Sequence, residues 1–83
     1  MESNEIVRKQ ILEIIKNQMK QNDPPETNLT YKRLTEQGFS DFEAKQYIGQ
    51  CVAVELFEVF KNERLFDEKK FVANLKNLPK EPM

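Results

Sequence analysis

Histidine and tryptophan are absent from the chain, and cysteine occurs once, at Cys51. Without histidine the chain lacks the commonest general base, the commonest metal ligand and the usual switch near neutral pH. A lone cysteine forms no intramolecular disulfide, and with no histidine beside it completes neither a zinc site nor a Cys-His nucleophile, so a reducing, cytoplasmic setting is expected. Apolar runs are short: none approaches the roughly 18 residues of a membrane-spanning helix, and the polar start Met1-Glu2-Ser3-Asn4-Glu5 lacks the basic character of a signal peptide. Excess charge is missing too. With 13 Lys+Arg against 14 Asp+Glu, the net charge of -1 and sequence pI near 5.5 draw the chain to neither phosphate backbones nor anionic lipid, which makes nucleic acid and membrane poor partners. Catalysis, cofactor and metal are not expected, since Gly-rich phosphate loops, hydroxyl-base pairs and cofactor fingerprints are missing as well.

What is present suits one ordered domain spanning residues 1–83, with residues 1–4 and 79–83 expected to be flexible. Of the 83 residues, 39% are hydrophobic and 33% charged, too apolar for a disordered polyelectrolyte. A chain of this size buries only about 60 to 65% of the surface that its unfolded form exposes. The breakers Pro24-Pro25, Gly38 and Pro79 divide it into four segments of helical period, an all-α fold: a compact bundle of four helices with a long central third helix. Val7, Ile11, Ile14, Ile15, Gln18 and Met19 form the inner face of a first helix over about 4–21. Asp23 to Glu26 read as an exposed corner, and Thr27 or Asn28 as the cap of a short second helix that turns Tyr31 and Leu34 inward and stops at Gly38. Ser40-Asp41-Phe42-Glu43 is a capping box, with Phe39 and Ala44 at staple positions, and opens a third helix that runs to about Asn62. Asp67 caps a fourth, with Phe66 and Phe71 at staple positions and Phe71, Leu75 and Leu78 on its apolar stripe.

The third helix carries the candidate sites. At about 100° per residue, Ala44, Tyr47, Ile48, Cys51, Val52 and Val59 share one face, and Phe42, Gly49, Ala53, Leu56 and Phe60 a neighbouring one. Helices in so short a chain leave part of the second stripe uncovered, so Phe42, Gly49, Ala53, Phe57 and Phe60 are the candidate interaction surface, for an unknown protein or for a second copy in a homodimer. Gly49 and Ala53 also admit close packing of a helix within the chain. Glu55 falls in the middle of the first face, where an unpaired carboxylate is costly. Arg33, Tyr31, Arg8 or Gln18 can partner it, and Glu55, Arg33 and Tyr31 are the candidate buried polar site, structural or lining a ligand pocket. Lys69, Lys70 and Arg64 form a small basic cluster.

Gln37-Gly38-Phe39-Ser40 followed by Glu43-Ala44 resembles the Met-Gly-Phe-Ser loop of ubiquitin-associated domains. Leu34, Gly38, Phe39 and Ala44 match that pattern, Gln37 replaces the Met, and the helix that follows is far longer than in that family. The resemblance implies ubiquitin binding through this loop. The same segment invites a helix-turn-helix comparison and a weak nucleic-acid-binding reading, against which Asp41 and Glu43 stand where phosphates would lie. Over nearly the whole chain, Asn22-Asp23-Pro24-Pro25-Glu26-Thr27, Tyr31-Lys32-Arg33-Leu34, Gly38, Glu43-Ala44, Ile48, Glu55, Asp67 and Leu75 to Pro79 resemble a family of short uncharacterised bacterial proteins. That resemblance implies a free-standing prokaryotic domain and no particular activity. The combined expectation is a non-catalytic protein-protein interaction module.

Overall fold

In the computed structural model, which describes residues 2–80 and side chains from residue 5 onward, the chain folds into four α-helices: α1 Glu2–Gln21, α2 Pro25–Glu36, α3 Asp41–Asn62 and α4 Glu68–Asn77. The expectation of flexible ends falls partly on residues 1 and 81–83, which lie outside the described residues. Within them, Glu2 is already helical and the Lys80 N–H donates to the Asn77 carbonyl at 2.9 Å.

Local chemistry sets each boundary. Asn22 adopts a left-handed conformation (φ 52°), and the Asp23 N–H reaches back to the Gln18 carbonyl at 3.0 Å, closing α1 as a side chain with little penalty in that region can. The second helix begins earlier than the sequence suggests. Pro25 takes its first position, where a missing N–H costs nothing, and Pro24 is buried in the corner. Thr27 and Asn28 therefore do not cap: Thr27 Oγ1 donates to Gln18 Oε1 at 2.8 Å, and Asn28 Nδ2 to the Met19 carbonyl at 2.9 Å, fastening α2 to the end of α1. Gly38, at φ +102°, ends α2, and the Phe39 N–H donates to the Leu34 carbonyl at 3.1 Å. Nothing stands within 4 Å of where a Gly38 Cβ would be, so the backbone angle alone demands glycine there.

The expected capping box opens α3: Ser40 Oγ accepts from the Glu43 N–H, and Glu43 Oε1 from the Ser40 N–H. Asp67 caps α4 by accepting the Lys70 N–H, and Phe66 meets Phe71 edge to face at 5.3 Å. The core comprises Ile15, Leu34, Ala44, Ile48, Cys51, Val52, Phe71, Leu75 and Leu78, nearly half of it from α3. As its two-sided apolar pattern requires, α3 packs against all three other helices. So does α2. These two form the middle of the bundle, and among the described residues no Cα of α1 comes within 8 Å of one in α4. The Cα radius of gyration, 12.3 Å, sits beside the roughly 12 Å expected for one compact domain of this length.

Candidate functional site

Glu55 lies where the helical angle puts it, 1% exposed in the core, but its partners are not those expected. Oε1 accepts the Asp67 N–H at 3.1 Å, and Oε2 lies 4.0 Å from Lys70 Nζ with no hydrogen bond of its own. The carboxylate thus ties α3 to the start of α4. Arg33 and Tyr31 are occupied elsewhere. Arg33 donates from Nη1 to the Leu78 carbonyl at 2.8 Å and from Nη2 to the Leu75 carbonyl at 3.0 Å, closing the electronegative end of α4 with a cation. Tyr31 donates its hydroxyl to Asp41 Oδ1 at 2.6 Å. Glu55, Arg33 and Tyr31 therefore make three separate clasps, and the candidate polar cluster is corrected accordingly. No spacing in the sequence announces Arg33 as a cap: its acceptors stand more than 40 positions away.

The hydrogen bond to Asp41 is the leading cause that raises the Tyr31 pKa above its ordinary value, and the same bond, then Lys45, lowers that of Asp41. Burial pushes the Cys51 thiol up to about 12, so Cys51 packs as a small hydrophobe. Among the described residues no three carboxylate, thiol or imidazole side chains gather as metal ligands, and no helix is long and apolar enough to cross a membrane.

The second stripe of α3 divides into covered and open parts. Gly49 is buried: a Cβ there would lie 3.2 Å from Ile11 Cγ2 and 3.7 Å from Ile15 Cδ1. Its absence lets α1 lie close on α3, so Gly49 serves packing within the chain as well as forming part of the surface between the two helices. Ala53 is half-buried, while Phe42 and Phe60 are 71% and 73% exposed and Phe57 is exposed beside them, Lys61 Nζ lying 5.0 Å from its ring centre.

Alongside this stripe runs a groove of 610 Å³ between α1 and α3. Val7, Ile11 and Leu12 form the α1 wall; Phe42, Gly49 and Ala53 form the α3 side. Arg8, Asp41, Lys45, Gln46 and Gln50 rim it, with Lys45 Nζ and Asp41 Oδ1 paired at 3.2 Å. Val7, expected on the inner face of α1 one turn before Ile11, is instead exposed and lines this groove together with Leu12, which the expected inner face did not include. Past the end of α3, Leu65 is 91% exposed, and Phe66 packs on Phe71. Comparison with protein families, with curated proteins and with solved structures finds no match for the chain.

Proposed function

We propose that the chain is a small non-catalytic interaction module that works by receiving an apolar surface of another protein molecule on the α1–α3 face. The observation that carries this reading is the groove of 610 Å³, apolar on both walls and continued by exposed Phe57 and Phe60. Each apolar side chain moved from water into such a groove contributes about 25 cal/mol per Å², and small domains retain contiguous exposed apolar surface where a partner covers it. A mixed-sign rim of Arg8, Asp41, Lys45 and polar glutamines orients the partner without selecting a polyanion, which speaks against nucleic acid here. Glu55 offers a ligand no open approach, so a pocket around it has no support. The one unpaired cysteine and the whole-chain resemblance to short bacterial proteins favour a cytoplasmic setting.

A photo-activated crosslinker at Gln46, on the groove rim, tests the reading. It should capture protein in a cell, whereas the same group at exposed Lys76 on α4 should capture little. Equal capture at the two positions would remove the α1–α3 face from consideration.

A further inference from the structure

We draw no further inference here: the strongest candidate, the apolar groove between α1 and α3 lined by Val7, Leu12, Phe42 and Ala53, belongs to the docking face already described, and nothing in the structure shows what covers it.

Discussion

Replacing Glu55 measures how the fourth helix is held. Its Oε1 accepts the Asp67 N–H at 3.1 Å from a side chain 1% exposed, and a hydrogen bond to a charged acceptor contributes about 1.5–3 kcal/mol. The Lys70 ammonium, 4.0 Å from Oε2, belongs to a side chain 40% exposed, so screening holds its contribution below about 1 kcal/mol. Glu55→Ala strands the Asp67 N–H and leaves the space of the lost side chain unfilled, for a combined cost of about 3 kcal/mol. For a domain of this size that is a fall in Tm of roughly 12–24 °C. Glu55→Gln retains an acceptor for Asp67 and gives up the Lys70 attraction, costing about 1 kcal/mol; Glu55→Met fills the space but not the bond, costing about 2 kcal/mol. Urea unfolding followed by circular dichroism should therefore order the midpoints as wild type, Gln, Met, Ala. An Ala variant as stable as wild type would refute the clasp. A Gln variant as damaged as Ala would show that charge, and not the bond to Asp67, governs the site.

Arg33→Met, which keeps the aliphatic stem and removes both bonds to the end of α4, should lower stability by about 2–3 kcal/mol in urea titration, with Arg33→Lys in between. At temperatures where it remains folded, its capture of protein by a crosslinker at Gln46 should match wild type. Gly49→Ala gains about 1 kcal/mol of helix propensity but sets a methyl 3.2 Å from Ile11 Cγ2. That carbon sits on a stiff β-branched side chain, so α1 must shift, and a net loss of about 1 kcal/mol is expected by thermal melting. The Tyr31–Asp41 bond raises one pKa and lowers the other. Its stabilising effect is thus lost as pH falls through the lowered Asp41 value or rises through the raised Tyr31 value. Asp41→Asn should move one of the two tyrosine absorbance titrations to lower pH. Cys51, with its thiol pushed up to about 12, should resist thiol reagents at mildly alkaline pH until the chain unfolds.

Features governed by local chemistry were legible before any coordinates. Gly38 stops a helix because of its backbone freedom, Ser40 and Glu43 cap because they stand three apart, and Phe66 and Phe71 bracket a cap at Asp67; each rule acts within a few residues, and each holds in the structure. The corner at Pro24-Pro25 misled because two signals compete there. Thr27 and Asn28 have capping side chains, yet Pro25 suits the first helical position, and the end of α1 offered Thr27 and Asn28 better acceptors in Gln18 and Met19. The angle of Glu55 disclosed its burial but not its partner, since a backbone N–H carries no sequence signature. Gly49 and Ala53 look alike on a helical wheel, and only the approach of Ile11 separates the covered residue from the open one.

The two flanks of the bundle are held by different physics, and because the backbones of α1 and α4 make no close approach among the described residues they can be perturbed separately. On the α4 side the links to α2 and α3 include directional bonds at both helix ends: Glu55 and Asp67 at its start, Arg33 at its finish. Such contacts fix orientation in a chain whose core holds nine buried hydrophobic side chains among the described residues. On the α1 side, Gln18 and Met19 anchor one end to α2, and along α3 the contact is apolar, Ile11 and Ile15 lying over Gly49. Apolar contact is less directional, so this flank tolerates an open groove where Val7 and Leu12 face Phe42 and Ala53 without meeting the penalty of an unpaired polar group. The directional clasps thus gather around α4, and the open groove proposed for docking lies along α1 and α3. Distant sites with no shared partner add in free energy, which is why a variant such as Arg33→Met separates a loss of folding from a loss of binding, whereas any change at Gly49 moves both.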